Sequence, residues 1–179
     1  MGKGGIIGVD NTPTTSVASG VWSMREQYNA RKDSIWPVQG YRYVKWNITG
    51  AKSGSTIQAS EFVLQLTGSD ISMSGVTVTA PGASYPAGEE PDKLVDGTTS
   101  TKFYTASGLP REIIFDFGAG NIAVFDGYRW ATANDVSNRD PDDWTISASN
   151  DNVSYTTLHT VVNASVTASR LTYVGPWSF

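Results

Sequence analysis

The chain has no cysteine. Disulfide stapling, Cys-based zinc sites and thiol nucleophiles are therefore excluded. It has a single histidine, His159, which excludes His-rich metal sites and disfavours a Ser-His-Asp triad. Charged residues are only 17% of the 179 positions, and the net charge is −4. A nucleic-acid binder shows a basic face; none is visible, so nucleic acid is not an expected partner. No apolar run approaches the roughly 20 residues that span a bilayer, so membrane insertion is not expected either. The start, Met1-Gly2-Lys3-Gly4-Gly5, lacks the apolar stretch of a secretory signal. Ile6 stands where N-myristoylation needs Ser or Thr. The sequons at Asn47, Asn152 and Asn163 are accordingly read as coincidence.

What the chain does have is glycine (18) together with six tryptophans and eight tyrosines. Such a mixture suits many short strands joined by tight turns, with aromatic rings filling a sandwich core. Residues 1–16 are rich in Gly, Thr and Ser and are expected to be extended. From about 17 to 33 the apolar spacing changes: Val21, Met24 and Tyr28 fall on one side of a helix, with Trp22 beside them. Thr15, Ser16 or Ser19 would cap its start, and Pro37 and Gly40 would close it off. One short amphipathic helix cannot bury its own stripe. It packs on the following domain, on copies of itself or on a partner.

From Tyr41 the period is two. Val44, Trp46 and Ile48 alternate with polar residues, as do Phe62, Leu64 and Leu66. Further strands are expected at 76–79, 113–117, 125–131, 144–148, 155–162 and 171–174, with a turn at 50–55 and a long loop at 81–91. The expected fold class is all-β: an antiparallel sandwich or jelly roll over 41–179 behind an N-terminal segment, 1–40, with one helix.

Few constellations carry chemistry. Glu89-Glu90 and Asp142-Asp143 are adjacent pairs, and neighbours in sequence point apart. Glycoside hydrolysis needs two carboxyls facing across a cleft, so both pairs are read as solvated loop charges. Arg139-Asp140, just ahead of Pro141 and Trp144, has the place of a pair that locks a loop to the core. Gly4-Gly5 and Gly118-Ala119-Gly120 lack the context of a phosphate loop. The chain is not expected to be an enzyme.

Several blocks together resemble discoidin domains, also called coagulation-factor C-type domains, which include the family 32 carbohydrate-binding modules. They are Lys93-Leu94-Val95-Asp96-Gly97-Thr98-Thr99-Ser100-Thr101, Glu112 to Gly118, Gly127-Tyr128-Arg129, Arg139-Asp140-Pro141-Asp142-Asp143-Trp144, and Ser149-Asn150-Asp151-Asn152 through Leu158. Blocks that usually end the family, Tyr41 to Ile48 and Ile57 to Phe62, come first here. The order is that of a circular permutant, which close sandwich termini permit, with 170–179 as a replacement strand. The resemblance implies a galactose-binding-like jelly roll. It also implies a calcium site where the Asp-Gly loop meets the glutamate of the usually last strand. Here Asp96 and Glu61 offer carboxylates, Thr101 a hydroxyl and a carbonyl, and Lys93 and Thr98 carbonyls alone; the alternative is an ordinary Asp-Gly turn. It implies a ligand face at one end of the sandwich, for which Tyr104, Asn134, Asp135, Asn138 and Arg139 are the set suited to a glycan.

The leader resembles something else. Gly4-Gly5-Ile6-Ile7-Gly8, Asn11-Thr12-Pro13-Thr14, Ala18 to Tyr28 and Trp36-Pro37 are similar to the start of tail-fibre and other virion proteins of tailed bacteriophages. That implies a virion structural component, often trimeric, whose helix (Val21, Trp22, Met24, Tyr28) contacts other virion proteins. The alternative function is a carbohydrate-binding module for a host-surface glycan.

Overall fold

The computed structural model describes residues 23–32 and 39–179. The chain divides into two units between Gln39 and Gly40. In the first, α1 spans Met24–Lys32. Ser23 lies outside the helix, and its carbonyl accepts the first helical bond, from the Gln27 N–H at 3.0 Å. Ser23 thus stands at the N-cap position of α1; Thr15, Ser16 and Ser19, expected to cap the helix, lie outside the described residues. Positions 17–22 and 33, including Val21 and Trp22, lie outside the described residues, as does the segment 1–16.

The second unit is built from eleven described strands: β1 (Tyr43–Ala51), β2 (Ile57–Ala59), β3 (Glu61–Leu66), β4 (Ser69–Asp70), β5 (Thr77–Thr79), β6 (Phe103–Thr105), β7 (Arg111–Asp116), β8 (Gly127–Ala131), β9 (Pro141–Ser149), β10 (Thr156–Val161) and β11 (Tyr173–Ser178). All described pairings are antiparallel. A five-stranded sheet runs β10-β9-β1-β7-β5, a four-stranded sheet β11-β8-β3-β4, and β2 and β6 form a ribbon. The two larger sheets pack face to face in a sandwich.

Period-two alternation explains the packing. Val44, Trp46 and Ile48 of β1 are buried, as are Ile113 and Phe115 opposite them on β7. From the other sheet Phe62 stacks on Phe115 at 4.6 Å and meets Trp46 at 5.2 Å. Trp130 reaches Trp46 at 5.7 Å and Trp144 at 6.0 Å. Such ring pairs add to the area term that dominates burial.

A short polar chain runs through this core. Trp144 Nε1–H donates to the Tyr128 oxygen at 2.6 Å, which leaves the Tyr128 hydroxyl proton for His159 Nδ1 at 2.9 Å. Burial lowers the His159 pKa, consistent with a neutral acceptor ring. Tyr128→Phe keeps the shape but strands a buried indole N–H. Its expected cost is about 1–3 kcal/mol, read as a lower urea midpoint; an unchanged midpoint would mean that the indole had found another acceptor.

Several expected boundaries move. β1 runs through Gly50 to Ala51, where a turn was expected, because its pairing with β9 shifts register between Ile48 and Ala51 and a bulge carries the strand on. The last strand starts at Tyr173 and not Leu171: Leu171 has φ of 56°, a left-handed backbone outside the extended region that a strand leucine adopts. The ribbon β2-β6 and the two-residue β4 are too short for alternation to reveal.

Candidate functional site

β3 is buried on both faces. Phe62 and Leu64 point into the sandwich, while Glu61, Val63 and Gln65 point out and are covered. Glu61 is only 2% exposed. One of its oxygens, Oε1, accepts the N–H groups of Gly97 at 2.7 Å and Thr98 at 2.9 Å. The Asp-Gly loop and the glutamate, 35 positions apart, therefore meet. Asp96 Oδ1 accepts the Thr98 N–H at 3.2 Å, and Asp96 Oδ2 accepts the Thr101 hydroxyl at 2.7 Å. Burial pushes the Glu61 carboxyl up to about 7, and the hydrogen bond and charge of Asp96 add to this against the two backbone donors.

The oxygens open to a hard cation here are the second Glu61 oxygen, the Asp96 carboxylate, the Thr101 hydroxyl and carbonyls of the loop. Calcium takes six to eight, so backbone would have to supply most of them, as Lys93 and Thr98 were expected to. The Lys93 ammonium lies 3.9 Å from Asp92. Among the described residues no third carboxylate or histidine joins the pair. The two facing carboxylates, one of them pushed toward neutrality, are still a donor set that a cation would relieve. They open on a cleft of about 440 Å³ whose other walls include Val63, Met73, Val95 and Tyr173.

The residues expected to face a glycan are partly brought together and partly spent on one another. Tyr104 sits on β6 opposite Gln58. The Arg139 guanidinium lies 4.5 Å from the Tyr104 ring centre, so one face of that ring is taken. Asp135 accepts a bond from Lys102 at 2.8 Å. Lys102 is itself buried, with Glu89 at 3.6 Å and Gln58 Oε1 at 3.5 Å. Asn134 and Asn138 are exposed in the same loop, and the Asn138 carbonyl accepts the Ser53 N–H at 2.9 Å.

No protein-family model, no curated protein and no solved structure matches this chain.

The fold alone therefore carries the account of the remaining residues. Asp140, expected to lock a loop with its neighbour Arg139, is fully buried and locks it through Arg170 instead, at 2.8 and 2.6 Å, with Lys52 at 3.4 Å. Asp142 and Asp143 flank Gly50 in the β1–β9 bulge, and the Asp142 carboxyl is pushed up by burial first and by Asp143 second. Lys102, Gln58 and Arg170 had no signal in sequence, because their partners are 30 or more positions away.

In α1, Met24 and Tyr28 are 88% and 68% exposed. They stand four residues apart, one above the other on the helix.

Proposed function

We propose that this chain is a non-enzymatic structural protein of a tailed-bacteriophage virion, a fibre, adaptor or decoration component. Its N-terminal segment attaches it, and its sandwich is presented outward. The observation that carries this reading is the bare pair Met24 and Tyr28 on a nine-residue helix. A helix this short is marginal in water by itself, and large apolar side chains left in solvent mark a surface that a partner covers. The likeness of the leader to virion proteins supports the same reading. The partner surfaces are other virion proteins and further copies of this chain, as a trimer.

For the sandwich we propose a permuted jelly roll of the galactose-binding kind. The meeting of Glu61 with the Asp96-Gly97 loop supports it, since the family likeness pairs those two elements. A calcium ion, if held, would lie between Glu61, Asp96 and Thr101, with the Lys93 and Thr98 carbonyls. It would tie the start of β3 to the loop and do no chemistry.

Light scattering on the full chain tests the attachment reading. The expected mass is that of a trimer, falling to a monomer in M24S/Y28S. A monomeric parent, or a trimer that the double substitution leaves intact, would remove the helix from assembly.

A further inference from the structure

Four tyrosines on the sandwich carry a cation over the ring. Arg42 lies 4.7 Å from the Tyr43 ring centre, Lys45 4.1 Å from Tyr155, Arg129 3.8 Å from Tyr173 and Arg139 4.5 Å from Tyr104. Three of these cations are at the same time held by a carboxylate: Arg42 by Asp116 at 2.7 Å, Lys45 by Glu112 at 2.9 Å, and Arg129 by Asp70. The physical reason is shared. The negative face of the ring and the carboxylate both attract the cation, and the ring shields one side of it from water.

Among the described residues, Tyr85 has the other half of this arrangement without the cation. Its ring is 42% exposed and is steadied edge-on by Phe103 at 6.2 Å. It opens on a cleft of about 380 Å³ between β5 and the short 3-10 helix Pro91–Leu94. Thr79 and Pro81 form one wall; Glu90, Pro91 and Asp92 form the other. One Glu90 oxygen accepts the Gly88 N–H at 2.9 Å. Asp92 is exposed, and among the described residues the cation beside it is the Lys93 ammonium at 3.9 Å, whose charge also reaches Glu90.

We infer that this cleft receives an arginine or lysine side chain of a partner protein, laid over Tyr85 and neutralised by Glu90 and Asp92. The pattern is the one the described residues use three times among themselves. The acidic balance of the chain, −4 overall, favours approach of a basic segment. A neutral sugar is a poorer match: it would desolvate two carboxylates without a counter-charge. The inference does not depend on the attachment reading, since it concerns the sandwich alone.

The test is an amide-resolved NMR titration of the full chain with N-acetyl-arginine amide and, separately, with N-acetyl-citrulline amide, its neutral isostere. Saturable shifts are expected at residues 78–80, 85, 90 and 92 with the arginine compound, at least about threefold weaker with citrulline, and fading in about 1 M salt. E90Q/D92N is expected to lose the difference between the two compounds, and Y85L to weaken both while Y85F keeps binding. Equal shifts from citrulline, no saturable shift at those positions, or a response to methyl galactoside in place of arginine would each overturn the inference. None of these outcomes bears on the mass of M24S/Y28S.

Discussion

Arg170→Met is expected to lower the stability of the sandwich by about 3–5 kcal/mol, the cost of leaving a buried charge without its main partner. Asp140 is fully buried, whereas the Arg170 and Lys52 side chains keep 21% and 24% of their surface in water. Removal of Arg170 leaves the carboxylate inside with Lys52 alone, at 3.4 Å. Removal of the charge at Asp140 leaves two cations that can turn outward, so Asp140→Asn is expected to cost less than Arg170→Met. The double variant is expected to recover part of the loss, because the buried charge is gone with its partner. Urea unfolding at constant slope reads all three. Additive losses, or a milder effect for Arg170→Met than for Asp140→Asn, would contradict the burial argument. The consequence for architecture is specific: Arg170 also donates to the carbonyls of Asp135 and Thr167 at 3.1 and 3.3 Å. It therefore ties the segment ahead of β11 to the loop ahead of β9.

The second large effect is a pH dependence centred on Glu61. Its carboxyl is pushed from 4.5 up to about 7. Between those values the native protein holds a proton that the unfolded chain has lost. Stability is therefore full below about pH 4.5 and falls as the pH rises through 7. The contribution lost by pH 8 is about 3 kcal/mol at most, at roughly 1.4 kcal/mol per unit. Glu61→Gln cannot ionise. Its stability is expected to stay level across that window, so that it exceeds the parent at pH 8 and not at pH 5. Parallel curves for parent and variant from pH 5 to 8 would remove Glu61 as the cause. Millimolar calcium is expected to raise the parent at pH 8 and to leave Glu61→Gln and Asp96→Asn unmoved, since a ligand that binds only the native state stabilises by mass action. No calcium response would leave the pair as a shared-proton contact and retire the cation.

Alternation of apolar and polar residues was enough to mark most of the long strands. Val44, Trp46 and Ile48, or Phe62 and Leu64, must share one face in any strand, and burial of that face follows from the hydrophobic effect. The mostly β, antiparallel architecture was decided by the sequence itself for the same local reason, and the lack of cysteine rules out thiol chemistry by composition alone. Local rules also place a helix around Met24 and Tyr28. What they cannot do is pair distant positions. That Glu61 meets Gly97 and Thr98, that Asp140 takes Arg170 and not its neighbour Arg139 as its partner, and that Arg139 lies over Tyr104 are results of strand order and register. So is the cleft that Tyr85 lines, which exists because β5 and the Pro91–Leu94 3-10 helix come together across a loop. Electrostatics and hydrogen bonds act at a few ångströms, and only the folded chain brings those groups that close.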